Sequence, residues 1–217
     1  MRTHFKEATV STLLHISASP RGERSESLAI ARTFLDTHRE HNPDHDIAEW
    51  DLWDGRLPEF GPAAATAKMD VFAGVEPSGQ GAAAWRAARH TFERFNAADR
   101  YLFSVPMWNA GVPYILKQFI DVISQPGMVF GFDGETGYTG LVTGKKAAVV
   151  YTGAVYGEGR GPAFGSDFQA PYLDDWLRWA GIRDITSVYF RPNLATADAE
   201  VGRRIAHADA RSAAKAF

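Results

Sequence analysis

The chain has 217 residues, with 23 Lys and Arg against 26 Asp and Glu, a formal net charge of −3 and 45% hydrophobic residues. That is enough chain for a single domain spanning residues 1–217 with a real core, and the charge balance lacks the basic excess of a nucleic-acid binder. There is no cysteine, so disulfides, a thiol nucleophile and cysteine metal sites are excluded, a cytoplasmic setting is expected, and any redox chemistry must come from a cofactor.

Residues 1–10 hold no apolar run of signal-peptide length, and no stretch approaches the roughly 18 apolar residues of a membrane helix. Neither secretion nor a membrane span is expected. Residues 10–16 are short and apolar, the loop from Ser17 to Pro20 follows, and Leu28, Ile30, Ala31, Phe34 and Leu35 then recur at helical spacing. This reads as strand, loop and helix. Residues 46–52 suit a charged edge strand, residues 82–98 an Ala-rich helix, and residues 100–105 a strand stopped by Pro106. A helix starts at Pro113 with Leu116, Phe119, Ile120 and Ile123 on one face, and Pro126-Gly127 closes it. Between Gly127 and Gly144 an irregular, aromatic insertion carries Phe130, Phe132 and Tyr138. Residues 146–151 form the next strand, residues 166–180 a helix ending at Gly181, residues 185–190 the last strand, and a polar helix follows.

Strands alternating with helices imply an α/β fold, a five-stranded parallel sheet in the order 2-1-3-4-5 with helices on both faces. Ligands bind such sheets beyond the carboxyl ends of the strands at the switch point, which selects the loops at Ser17, Pro106 and Thr152.

The first of these loops offers hydroxyls at Ser19, Ser25 and Ser27, the guanidinium of Arg21 and a helix N-terminus, a combination suited to a phosphate. Ser25 could equally serve only as a helix cap. Neither a Gly-Lys-Ser/Thr phosphate loop nor GxGxxG is present, which disfavours ATPase and Rossmann dehydrogenase readings. In the second loop Met107 and Trp108 offer a polarizable surface for a flat ring and Asn109 hydrogen bonds for its edge, or Trp108 packs a buried connector. His38, His41 and His45 read as a solvated helix end rather than a metal site, so no metal is expected. His15 reads as a satisfied core or edge histidine, and the adjacent Asp174 and Asp175, which point to different sides of a helix, read as capping or solvating it.

The loop from Ser17 to Ser27, the segment Pro106-Met107-Trp108-Asn109 with Lys117-Gln118-Phe119-Ile120-Asp121, and the insertion ending Gly144-Lys145-Lys146 together resemble the FMN-dependent NAD(P)H azoreductases and quinone reductases of the flavodoxin-like fold. The resemblance implies tightly bound FMN, with Ser19, Arg21, Ser25, Glu26 and Ser27 at its phosphate and ribityl end and Pro106, Met107, Trp108 and Asn109 along its ring. Thr152, Gly153 and Tyr156 are expected near the polar edge of the ring, where donors are needed on reduction. It further implies NADH or NADPH as co-substrate, ping-pong delivery of two electrons to a quinone or azo acceptor, and a homodimer with interface active sites that the aromatic insertion caps. The family often has an aromatic residue after the Asn, where this chain has Ala110, and its Ser-Arg-Gly-Gly type loop is here Thr152-Gly153-Ala154-Val155. Open space beside the ring, or a differently placed aromatic such as Tyr156, is therefore expected. The competing readings are a flavodoxin-like electron carrier, against which the balanced charge and long insertion argue, and a flavin-based redox sensor.

Overall fold

The computed structural model describes residues 10–194 and 196–217. The expectation drawn from the first nine residues lies outside that range. Seven strands are present among the described residues: β1 (Thr12–Ser17), β2 (Asp46–Asp51), β3 (Arg100–Pro106), β4 (Phe130–Asp133), β5 (Gly137–Gly140), β6 (Lys146–Thr152) and β7 (Asp184–Phe190). The helices are α1 (Glu26–His41), α2 (Pro62–Phe72), α3 (Gly79–Asn96), α4 (Tyr114–Ile123), α5 (Ala170–Ala180) and α6 (Ala199–Lys215).

Five strands form one all-parallel sheet in the order β2-β1-β3-β6-β7. Counted along the chain these are its first five parallel strands in the expected 2-1-3-4-5 arrangement, so the architecture is flavodoxin-like. The numbering differs because the segment read as irregular contains an antiparallel hairpin, β4 with β5, in which Phe130 faces Gly140 and Phe132 faces Tyr138. Asp133 Oδ1 accepts from the backbone N–H groups of Glu135 (3.0 Å) and Thr136 (2.9 Å) and so closes the turn. Helix α2 was also not read from the sequence: its Ala-rich stretch buries little more than Ala64 and Ala67 and gives no strong apolar stripe.

Alternation of side chains along the central strands divides the core in two. Leu14, Ile16, Phe103, Val105 and Val149 pack against α4 and α5 through Leu116, Phe119, Ile120, Leu173 and Leu177. Leu13, Leu102, Ala148, Val150 and Val188 face α1 and α6 through Ile30, Phe34, Ala206 and Ala210. Full burial of a side chain such as Phe34 or Phe119 contributes about 2–3 kcal/mol each, and two-sided burial makes β3 and β6 nearly continuous apolar runs. β2 is paired on one side and mostly exposed, as an edge strand should be. Helix α5 stops where Gly181 takes a φ of 109°, a left-handed conformation that favours glycine.

The histidine reading needs correcting. His38 is not solvated; it is buried, stacked 6.2 Å from the Phe34 ring, with its Nε2 3.1 Å from His45 Nδ1. The helix end that looks charged in sequence lies beneath α6, near Phe217. His15 is buried with Nε2 3.1 Å from Ser104 Oγ, while its Nδ1 stands 3.7 Å from Glu49 Oε2 and has no closer hydrogen-bond partner among the described residues. Asp174 accepts from the Tyr151 hydroxyl at 2.7 Å rather than merely facing solvent. Among the described residues no helix is long and apolar enough to cross a membrane.

Candidate functional site

The carboxyl ends of β1, β3 and β6 converge on one cleft of about 110 Å³, lined by Ser19, Arg21, Ser25 and Glu26 on one side, Pro106, Met107 and Trp108 on another, and Thr152, Gly153, Ala154, Asn193 and Leu194 on the rest. Nine of the twelve residues expected to hold a cofactor therefore line a single cleft. The other three stand next to it in different ways. Ser27 is fully buried with its hydroxyl 3.1 Å from Ser25 Oγ. Asn109 is exposed and lines a neighbouring apolar cleft of about 470 Å³ with Trp108, Tyr114, Phe168 and Tyr172. Tyr156 is not part of the lining; its ring centroid lies 5.1 Å from the Arg191 guanidinium, behind Gly153.

The first loop is built locally. Gly22 has a φ of 52° and starts a single 3-10 turn (Gly22–Arg24), after which Ser25 caps α1 by accepting from Leu28 N–H at 3.3 Å. Ser19 and Ser25 are buried yet line the cleft, so their hydroxyls point where an anion would meet the first turn of α1 and its dipole. Glu26 would repel that anion, but Arg203 of α6, which also pairs with Glu200, donates to its carboxylate at 2.7 and 3.2 Å and offsets part of the charge.

The second loop is a tight turn. Trp108 and Gly111 exchange two backbone hydrogen bonds of 2.9 Å, and between them Asn109 and Ala110 have φ of 48° and 68°. Two successive left-handed residues make a type I′ turn. The turn is held in place by Met107 N–H donating to Thr152 O (2.6 Å) and Phe168 N–H donating to Ala110 O (2.9 Å). Trp53, which follows β2, links the first two loops: its Nε1 donates to Ala18 O at 3.1 Å and its ring lies 5.8 Å from that of Trp108.

Ala110 lines neither cleft. Its carbonyl is occupied by the backbone of Phe168, and the exposed Phe168 ring supplies the aromatic surface beside Trp108. The hairpin aromatics lie elsewhere: Phe130 and Tyr138 pack 4.9 and 5.5 Å from Trp179 near the end of α5. The helix begins beside the cleft and runs about 15 Å at 1.5 Å per residue. The hairpin therefore does not cap this chain's own cleft.

Sequence reading missed four contributors: Asn193 and Leu194 in the lining, and Gln169 and Arg191 behind it. Asn193 N–H donates to Gly153 O (2.9 Å) and Leu194 N–H to Ala154 O (3.1 Å), so the chain after β7 continues alongside the third loop. Only Pro192, marking the end of β7, hinted at this. Gln169 lies on the short approach to α5, which the sequence had assigned to the helix itself.

A family model described as flavodoxin-like fold matches residues 11–214. Over 190 residues, 88% of this chain and 93% of the relative, the sequence is 44% identical to a Ruegeria pomeroyi protein named FMN-dependent NADH:quinone oxidoreductase. A Burkholderia lata protein named FMN-dependent NADH:quinone oxidoreductase 9 is 39% identical over 208 residues, covering 94% of this chain and 99% of its own. Among solved structures, an azoreductase from Bacillus anthracis superposes with a TM-score of 0.87, covering 96% of this chain and 100% of its own; at 24% identity this likeness concerns the fold. Fold, strand order and matched span agree, and the chain belongs to the flavodoxin-like family.

Proposed function

We propose that this chain is an FMN-dependent NAD(P)H oxidoreductase that reduces quinones and aromatic azo compounds. One observation carries the reading: a single cleft joins an anion cradle at the start of α1 to the apolar surfaces of Met107 and Trp108 and the bare backbone of Gly153. That donor set fits a flat ring carrying a phosphate at one end. The names of the relatives, FMN-dependent NADH:quinone oxidoreductases, point to the same cofactor and to NADH as the reductant.

In this reading Ser19, Arg21, Ser25 and Ser27 hold the phosphate with the first-turn N–H groups of α1, and Arg203 keeps Glu26 from opposing them. Pro106, Met107, Trp108 and Asn109 line the ring, and Thr152, Gly153 and Tyr156 belong to its polar edge. Bound FMN supplies the redox chemistry, accepting hydride from the nicotinamide and passing both electrons to the acceptor. The protein's part is to stack nicotinamide and acceptor in turn, to exclude water, and to supply positive potential near the polar edge. The N–H groups of Met107 and Gly153 are already committed to Thr152 O and Phe190 O. Backbone donors to the edge from the third loop therefore come from residues after Gly153, beside the Thr152 hydroxyl.

The working unit is one FMN domain, and we place it in the cytoplasm, where reduced nicotinamide is available. We further propose a homodimer. Tyr114, Val155, Phe168 and Leu194 expose between 45% and 72% of their surface around the two clefts, an apolar rim of the kind that association covers. The exposed Phe132 and Tyr138 of the hairpin would then cap the partner's cleft.

Anaerobic stopped-flow absorbance tests the central claim. The FMN-loaded protein is mixed with NADH or NADPH, then with benzoquinone or an azo dye. Rapid bleaching of the flavin and rapid reoxidation are expected. A protein that retains FMN but stays oxidised with nicotinamide would be a carrier or sensor, and one that cannot retain FMN would overturn the reading.

A further inference from the structure

Arg191, the first residue beyond β7, packs its aliphatic stem against the cleft wall. A Cβ added to Gly153 would stand 3.3 Å from Arg191 Cγ and 3.6 Å from Met107 Cβ, so Gly153 fills the gap between them. The side chain is 10% exposed, and its guanidinium donates to Asp167 Oδ2 at 2.8 Å and Gln169 Oε1 at 3.4 Å and lies 4.6, 5.1 and 5.8 Å from the rings of Tyr189, Tyr156 and Tyr151. Gln169, fully buried, donates to Val105 O (2.9 Å) and Thr152 O (3.4 Å), tying together the ends of the two strands whose loops wall the cleft. Asp167 Oδ1 meanwhile accepts from the N–H groups of Gln169 and Ala170 at the start of α5.

We propose that Arg191 is a positioning residue for the redox step: it sets Gly153 against Met107 and places a partly buried positive charge beside the cleft that favours the reduced form of bound FMN. This rests on the FMN reading above. A buried ion pair is a poor way to gain stability, since well-packed apolar residues often do as well or better. Its placement beside a redox site gives the charge a use. Hydride transfer from the nicotinamide brings two electrons and one proton, leaving the ring one unit more negative, and a nearby cation lowers the energy of that state most where water is excluded. Asp167 tempers the effect, because its carboxylate offsets part of the guanidinium charge.

The test compares Arg191→Met, Arg191→Lys and Asp167→Asn with the parent protein. Three quantities are read: the two-electron midpoint potential of bound FMN by equilibration with a reference dye, the affinity of the apoprotein for oxidised FMN by fluorescence, and the melting temperature. Arg191→Met keeps oxidised FMN affinity within roughly threefold but weakens reduced FMN about tenfold, a potential about 30 mV lower for a two-electron couple. Arg191→Lys recovers part of that loss. Asp167→Asn, which retains an acceptor for the α5 N–H groups, moves the potential upward. A purely structural role predicts falling melting temperatures with the potential unmoved, or shifts of one sign in all variants, and either result overturns the proposal. If Arg191→Met does not fold, an Asp167→Asn potential at or below that of the parent overturns it equally. Loss of FMN by the parent protein would instead sink the underlying function.

Discussion

The two edges of the central sheet are built on opposite plans. At the amino edge, where β1, β3 and β6 begin, polar groups are spent on one another. Arg100 Nε donates to Phe217 O (2.7 Å) and its Nη1 to Ser11 Oγ, while Thr12 N–H donates to Asp99 Oδ2 (2.9 Å). His38 and Phe217 close the gap beneath α6. At the carboxyl edge the buried hydroxyls of Ser19 and Ser25 face a cleft, two residues hold left-handed conformations, and Gly153 leaves the backbone bare. One edge invests its polar groups in stability and the other holds them ready for a ligand. Substitutions at the two edges should therefore separate cleanly into losses of folding and losses of binding.

The largest expected effect is on binding. Replacing Ser19 and Ser25 together by Ala removes the two hydroxyls that line the phosphate cradle, and hydrogen bonds to a charged group contribute about 1.5–3 kcal/mol each. FMN affinity, read by flavin fluorescence titration, should fall roughly 100-fold, about 3 kcal/mol. Stability should fall by only about 1 kcal/mol from the lost cap, a melting shift of about 2–4 °C. Unchanged affinity would put the phosphate elsewhere.

At the amino edge pH is the lever. Burial, and after it the neighbouring His45, hold the His38 imidazole down at about 4, against an ordinary value of 6.5. The unfolded chain takes up that proton near 6.5 and the folded chain only near 4, so the folded state binds fewer protons across the interval. The stability is fully present above 6.5 and is lost as pH falls towards 4, by on the order of 2 kcal/mol. Urea unfolding at a series of pH values checks this, and His38→Phe should flatten the slope in that window. FMN affinity in the variant should match the parent protein. A variant that loses FMN would erase the distinction between the edges.

Legibility followed sequence distance. The phosphate cradle occupies nine consecutive residues, Ser19 to Ser27, so hydroxyls, capping and the helix start could be read together. The strand pattern was equally plain because β3 and β6 are buried on both faces. The far wall of the cleft combines Met107, Gly153, Gln169, Arg191 and Asn193, which have no mutual spacing to read and meet only through the order of the strands. Two errors have the same origin. His38 looked solvated because its cover, α6, is more than 150 residues away along the chain, and the hairpin looked irregular because its two strands are four residues each, carry Gly131, Gly137 and Gly140, and find their apolar cover in the distant Trp179.

The smallest effect distinguishes strain from function within the carboxyl edge. Ala110, at a φ of 68°, is the second central residue of a type I′ turn, where glycine is the usual choice. A non-glycine residue in this region costs about 1–2 kcal/mol, of which Ala110→Gly should recover about half once the extra freedom of glycine in the unfolded chain is counted. The melting temperature should rise by about 1–3 °C. The turn keeps its three backbone bonds through Trp108, Gly111 and Phe168 in either case, because none of them involves the Ala110 side chain. Since that side chain lines neither cleft, turnover with quinone should change less than twofold. A marked fall in turnover with higher stability would mean that the methyl group, by limiting the turn, holds Asn109 in place, and the strain would then belong to the binding edge rather than being a tolerated cost of its geometry.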